Sequence, residues 1–299
     1  MTDKTDVRAF WSALYDSAYA DLDAGLDKGA LVDLLRETEA MFRMRDHLAT
    51  TEMPIASLAG KRVLEIGCGA GSHSALFASH GACMTALDLS FERASAARRK
   101  FALLGADAHG SDALEGDGER LPFADNTFDI VYSNGVLHHS PDTEAAIAEV
   151  HRVLKPGGSA IIMLYCKSSI NYWVTLWLGY GILRGGLLRG RDSLGGKTEW
   201  AGSADQQLEN PITRCYTRGQ IRDMFSAFAD VRERKSEFAI SHLPKVGRWW
   251  MRRLRRTGRM HPGGYLPYGA PWPIATPFEA WVGRYLGWAW NIAAIKPRT

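Results

Sequence analysis

The stretch Glu65-Ile66-Gly67-Cys68-Gly69-Ala70-Gly71 decides the fold. It follows a short apolar run at 61–66 and precedes a helix-prone apolar run at 72–79. Glycines at alternate positions between a strand and a helix mark a tight loop whose backbone can approach a ligand with no Cβ in the way. The following helix points its free N–H groups at the same place. A second apolar run at 83–87 ends at Asp88, where an acid can accept two ribose hydroxyls. A plain turn with a helix-capping acid would explain the glycines, but not the strand context and Asp88 together.

Working outward, 91–104 reads as a helix stopped by Gly105, 128–133 as a strand and 143–154 as a helix. Pro156-Gly157-Gly158 turns into a strand at 159–165, and a weaker strand falls within the polar stretch 107–114. This alternation predicts an α/β fold: a Rossmann-like, seven-stranded, mostly parallel sheet with helices on both faces and an antiparallel last strand. Upstream, Val7, Phe10, Trp11, Leu14, Ala18 and Leu22 recur at helical spacing, and 30–48 is a second helix. Both read as additions to the core. Downstream the rhythm breaks at 169–183, an uncharged Trp- and Tyr-rich run shorter than the roughly 20 residues that span a bilayer. It resumes with a helix at 218–228 and strands at 230–237 and 288–296. The organisation is therefore an N-terminal helical extension (1–60), a core (61–165), an insertion (166–217) and a completing segment (218–299) that holds a second insertion (238–287). Strand direction places both insertions at the carboxyl edge of the sheet, where ligands bind, so they form a lid over an acceptor pocket.

The loop discriminates between nucleotide classes. A dinucleotide fingerprint puts Gly or Ala where this chain has Ser72, and needs neither Glu65 nor Gly71. S-adenosylmethionine has a zwitterionic amino acid in place of a pyrophosphate, and this pattern suits it. From Val63 to Tyr165 the chain resembles the core of the class I S-adenosylmethionine-dependent methyltransferases, in their ubiquinone/menaquinone-methylase-like (type 11) branch. The matching stretches are VLEIGCGAGSHS, ALDLS, GDGERLPFADNTFDIVYSNGVLHHSPD and RVLKPGG, in order. The resemblance implies that Gly67, Gly69 and Gly71 wrap the methionine part of the cofactor. It implies that Asp88 holds the ribose, Leu89 packs on the adenine, and Asp117 meets the adenine amino group beside the Gly118 backbone. Asn134 would offer its backbone carbonyl to the ammonium, and Glu65 would orient the loop or meet the amino end. Many relatives have Ala in place of Gly118.

His138 and His139 follow the fourth strand at the carboxyl edge and are candidates for removing a proton from an acceptor. The bland alternative is that His139 caps the next helix while His138 packs. Tyr165, ending the fifth strand, either faces the acceptor or finishes the core. In the Pro-stiffened loop 209–217, Arg214 and Tyr216 are the candidate acceptor contacts; otherwise Thr217 caps a helix and Tyr216 packs beneath it. No metal ligand set is expected.

The net charge of +3 hides an asymmetry. Residues 167–299 carry 21 Lys and Arg against 9 Asp and Glu, and nine of the ten Trp. The run 245–259 has Lys245 and six Arg (Arg248, Arg252, Arg253, Arg255, Arg256 and Arg259), no acid, and interleaved Trp249 and Trp250. A solvated helix face, a membrane-surface helix and a nucleic-acid patch compete here. Nucleic acid is disfavoured because no recognised RNA-binding module accompanies the run. Four unpaired-looking cysteines and a charged start lacking an apolar leader point to a reducing, cytoplasmic location, peripheral to a membrane if the basic segment makes that contact. The expected activity is methyl transfer from S-adenosylmethionine to a small acceptor, apolar, aromatic or anionic-lipid-like, as in lipid or quinone metabolism. The alternatives are a cofactor-binding partner subunit without turnover and an NAD-dependent oxidoreductase.

Overall fold

The computed structural model describes residues 4–189, 198, 200–201, 208–243, 246–261 and 272–298. Lys245 of the basic run and parts of both expected insertions lie outside them. Seven strands form the central sheet: β1 (Arg62–Ile66), β2 (Cys83–Asp88), β3 (Asp112–Glu115), β4 (Phe128–Asn134), β5 (Leu154–Tyr165), β6 (Ala229–Ser236) and β7 (Ala289–Ile295). Their order is β3-β2-β1-β4-β5-β7-β6. β7 runs antiparallel to both neighbours and the rest run parallel to one another, as the sequence predicts.

The central strands are apolar because helices cover both faces. Before the sheet come α1 (Lys4–Ala18), α2 (Ala20–Ala24), α3 (Lys28–Met44) and α4 (Leu48–Thr51). α5 (Ser72–Ser79) and α6 (Phe91–Leu104) join α3 on one face, where Phe42, Phe77, Phe101 and Tyr132 share one buried cluster. On the other face α7 (Thr143–Val153) and α8 (Arg218–Met224) bury Ile147, Val150, Ile221 and Phe225 against Leu64, Val131 and Ile162. Two further helices follow, α9 (Val246–Arg256) and α10 (Pro277–Leu286).

Local chemistry fixes the ends. Ser90 caps α6 by accepting from Arg93 N–H, and Asp142 caps α7 through Ala145 N–H. Thr217 with Gln220, and Thr276 with Glu279, form capping boxes opening α8 and α10.

Three features depart from the sequence reading. Helix α3 is not an addition to the core: Leu31, Leu34, Leu35 and Phe42 belong to the main cluster, where α3 packs beside α5 and α6. Pro156-Gly157-Gly158 is not a separate turn. β5 begins at Leu154 and absorbs the three residues through a register shift against β4, with Gly157 N–H donating to the Lys296 carbonyl. The uncharged run becomes a π-helix, Asn171–Ile182.

Candidate active site

A cavity of about 480 Å³ opens at the carboxyl ends of β1, β2 and β4, within the 300–1,000 Å³ usual for small-ligand sites. Gly67 turns the chain out of β1 with φ of 75°, and a Cβ there would lie 2.4 Å from both Val136 methyls. At Gly69, also in the left-handed region, the nearest atom to such a Cβ is Arg93 Nη1 at 3.8 Å, so this glycine clears the cavity rather than a neighbour. Gly71 is off the wall and serves the close approach of α6 at Ala97.

Two buried acids stand behind the loop. Asp88 Oδ2 accepts from Gly69 N–H at 2.9 Å and Oδ1 from Ser90 N–H at 3.0 Å. A carboxylate has about four lone-pair sites, so both oxygens keep acceptor capacity for hydroxyls. Burial raises its pKa, opposed by Arg93 and the backbone N–H groups. Glu65 accepts from the Ser74 hydroxyl, and burial, reinforced by Asp88, pushes its pKa up to about 8. An acid so placed is short of a cation, and an approaching ammonium would favour its ionised form. Asp117 accepts from Glu119 N–H at 2.9 Å and pairs with Lys4 of α1. Leu89, Gly118 and Asn134 complete this end of the wall. Acids and carbonyl-bearing loop backbone beside the Arg93 guanidinium suit a ligand with an ammonium, a carboxylate, two hydroxyls and an exocyclic amine. S-adenosylmethionine fits this donor set. A pyrophosphate would meet three carboxylates instead.

The other end is built by elements far apart in sequence. Trp11 of α1 meets His139 edge-on, with ring centroids 5.1 Å apart, and Arg93 lies 4.9 Å over the Trp11 ring. His139 is buried, and its Nδ1 is 3.0 Å from the Ile212 carbonyl, 3.1 Å from Thr213 Oγ1 and 2.9 Å from Asn210 Nδ2. Tyr165 and Trp288 pack with tilted rings, centroids 4.4 Å apart, and both face the cavity. His47 accepts from Ala49 N–H through Nδ1, so its proton sits on Nε2; its side chain bonds Asn134, and burial holds it neutral. Burial likewise lowers His73 to about 4. Glu237, directly after β6, lines this end with φ of 65°, a strained conformation for a residue with a side chain.

The structure thus brings Glu65, Gly67, Gly69, Asp88, Leu89, Asp117, Gly118, Asn134, His139 and Tyr165 onto one wall. Four sequence candidates fall elsewhere. Gly71 packs on α6. His138 lies behind the wall, its ring 3.7 Å from that of Tyr165. Arg214 contributes its backbone N–H to the His138 carbonyl, and Tyr216 is buried in the core beneath α8 with its carbonyl accepting from Trp290 Nε1. The 210–213 segment of that loop reaches the site instead, by holding His139. Trp11, His47, Glu237 and Trp288 escaped the sequence reading. For Trp11 the signal was available, since it sits on the apolar face of the first predicted helix.

Residues 64–162 match a methyltransferase domain family. The chain is 36% identical over 118 residues to a malonyl-[acyl-carrier protein] O-methyltransferase of Pectobacterium atrosepticum, covering 40% of this chain and 44% of that one. It is 36% identical over 132 residues to a demethylmenaquinone methyltransferase of Thermobifida fusca, covering 44% and 54%. The chain thus spans about half the length of these relatives. Among solved structures, one described as a putative sarcosine dimethylglycine methyltransferase from Galdieria sulphuraria shares the fold at a TM-score of 0.52 and 16% identity, covering 87% of this chain and 88% of that one. With the glycine loop, the buried acids and the strand order in place, residues 64–162 are a methyltransferase domain of the class I, S-adenosylmethionine-dependent type.

Proposed function

We propose that the protein methylates a small, largely apolar acceptor of the lipid or quinone class. The observation that carries this reading is the single cavity that joins the acid-lined loop to an aromatic end made by Trp11, Tyr165 and Trp288. Bound S-adenosylmethionine supplies an electrophilic methyl group on a sulfonium that leaves readily. The protein's own work is mostly alignment and exclusion of water. Asp88, Glu65 and the loop backbone hold one end still. The rings of Trp11, Tyr165 and Trp288 make a dry wall that accepts an apolar partner, with Met41 and Met163 beside them. For an acceptor that must lose a proton, His139 is the base. Its Nδ1 is tied by the Ile212 carbonyl, the Thr213 hydroxyl and the Asn210 amide, which fixes the ring at the cavity. His47 and His73 are poor bases because burial depresses both.

The two relatives' names specify different acceptors, so the shared domain does not choose between them, and the acceptor class rests on the cavity wall. The test is transfer of labelled methyl from S-adenosylmethionine into lipid and quinone extracts. Label in the organic phase, reduced about a hundredfold or more by His139→Ala, supports the reading with a proton-losing acceptor. Cofactor binding without transfer to any extract would instead identify a partner subunit that lacks turnover.

A further inference from the structure

The surface of the carboxy-terminal region inverts the usual arrangement of apolar side chains. Helix α10 turns Glu279, Val282 and Gly283 inward, leaving Phe278, Trp281 and Tyr285 along its outer face, with Trp281 58% exposed. Successive rings lie 6.3 and 5.7 Å apart, so the stripe is continuous. The π-helix has a second stripe. Its i to i+5 bonding brings residues four and five apart into line, so Trp173, Trp177 and Ile182 share a side, continued by Leu183, which is 74% exposed. The two elements adjoin, since Leu286 of α10 faces Ile170, Asn171 and Thr175 across a small cavity.

Helix α9 packs beside α10. Trp250 Nε1 donates to Glu279 Oε1 at 2.9 Å, which fixes α9 against α10. Gly247 and Leu254 face inward, and Trp249 is exposed beside Arg248, Arg252, Arg253, Arg255 and Arg256. Among the described residues none of these guanidinium groups is in an ion pair, and α9 has no acid. Arg184, at the end of the π-helix, and Arg284 of α10 are also exposed.

We propose that this face docks on the surface of an anionic bilayer, with the Trp and Tyr rings and the aliphatic side chains at headgroup level and the α9 arginines on lipid phosphates. Solvation alone would account for the arginines but not for two exposed apolar stripes beside them. A nucleic-acid strand would use the rings and arginines and leave Ile182 and Leu183 unexplained. A second copy packed symmetrically would bring two acid-free α9 helices together. A bilayer interface matches all three chemistries, since aromatic rings prefer that level and cationic side chains gain from anionic headgroups. The face lies on the surface rather than crossing it: no helix among the described residues is long and apolar enough to span. Glu237 borders both the small cavity under this face and the active-site cavity, so the docked face adjoins the acceptor end.

The test is flotation of the full chain with phosphatidylcholine vesicles, with and without phosphatidylglycerol, at low and high salt. Binding to the anionic vesicles should exceed binding to the neutral ones by about tenfold or more and weaken with salt. Trp173→Ala with Trp281→Ala should lower binding about tenfold while salt dependence persists. Arg252→Glu with Arg255→Glu and Arg256→Glu should lower it roughly a hundredfold and abolish the anionic preference. Unchanged affinity for S-adenosylmethionine reports intact folding; if a combined variant loses it, the single substitutions Trp281→Ala and Arg256→Glu carry the test. Equal or absent binding to both vesicle types overturns the proposal, as does binding indifferent to both sets of substitutions. A dimer that Trp281→Ala converts to monomer without vesicle binding, or tighter binding to a single-stranded oligonucleotide than to vesicles, would reassign the face.

Discussion

The acid-lined half of the cavity and the aromatic half are assembled by different means. At the first, the requirements are on the backbone: a glycine where Val136 leaves no space for a Cβ, and Asp88 tied down by two N–H groups. Changes there should be felt in folding and cofactor affinity alike. At the second, side chains from α1, α3 and β5 converge with His47 and Trp288, which directly precede α4 and β7, and each ring contributes area rather than a unique bond. A site part that holds an invariant ligand is over-determined by its own loop, whereas one that meets a variable acceptor is made of replaceable walls.

The largest expected effect is in the loop. Gly67→Ala combines a left-handed φ with a clash against Val136 and should cost about 2–5 kcal/mol in urea unfolding. Gly69→Ala has no such clash and should cost only about 1–2 kcal/mol. Equal losses would break the distinction between a glycine kept for packing and one kept for ligand. Next, Asp88→Ala should weaken S-adenosylmethionine binding by roughly a hundredfold in calorimetry, while Trp288→Ala should change it by no more than about threefold, within one contact's worth of packing. A reversed order would show that the aromatic end carries the cofactor.

Glu65 sharpens the contrast through pH. Its pKa is about 8 in the folded protein against 4.5 ordinarily, so the folded state keeps a proton that the unfolded chain has released. Stability from this group is complete below about pH 4.5, declines as pH rises to about 8, and is level beyond. In the free protein, Glu65→Gln should therefore reduce the fall in Tm between pH 5 and pH 8 by about 3 °C or more. An unchanged slope would mean that the carboxyl is hydrated in the folded state. The smallest effect is expected at Lys4, whose pair with Asp117 is partly exposed. Lys4→Met should alter stability by at most about 0.5 kcal/mol.

The acid-lined half was legible in sequence because its constraints are local. Glu65, Gly67, Gly69 and Asp88 sit within one strand–loop–helix–strand unit, and each residue type answers a backbone need. The aromatic half was not, because Trp11 and His139 meet across 128 positions and His47 reaches Asn134 from the connection between two helices placed before the first strand. Adjacent sequence also misled: His138 and His139 look equivalent, yet the short turn Leu137–His139 sends one ring to the cavity and the other behind Tyr165. In the loop at 209–217 the proximity was foreseen but not the means, since carbonyl, hydroxyl and amide groups of Ile212, Thr213 and Asn210 act where the Arg214 and Tyr216 side chains were expected. The strand β3 resisted because it is a short sheet edge that needs no continuous apolar run. The π-helix resisted because its period matches neither template.

Helix α1 forms one side of the cavity with Lys4, Val7, Trp11 and Leu14. Its buried Val7, Phe10 and Tyr15 belong to neither core cluster, and its polar ties run to Asp117, Glu115 and Glu92. It is a wall held by three buried side chains and by partly exposed ion pairs to the far side of the cavity. Salt screens those pairs, so the exchange rate of bound S-adenosylmethionine should rise modestly with ionic strength even where its equilibrium affinity barely moves.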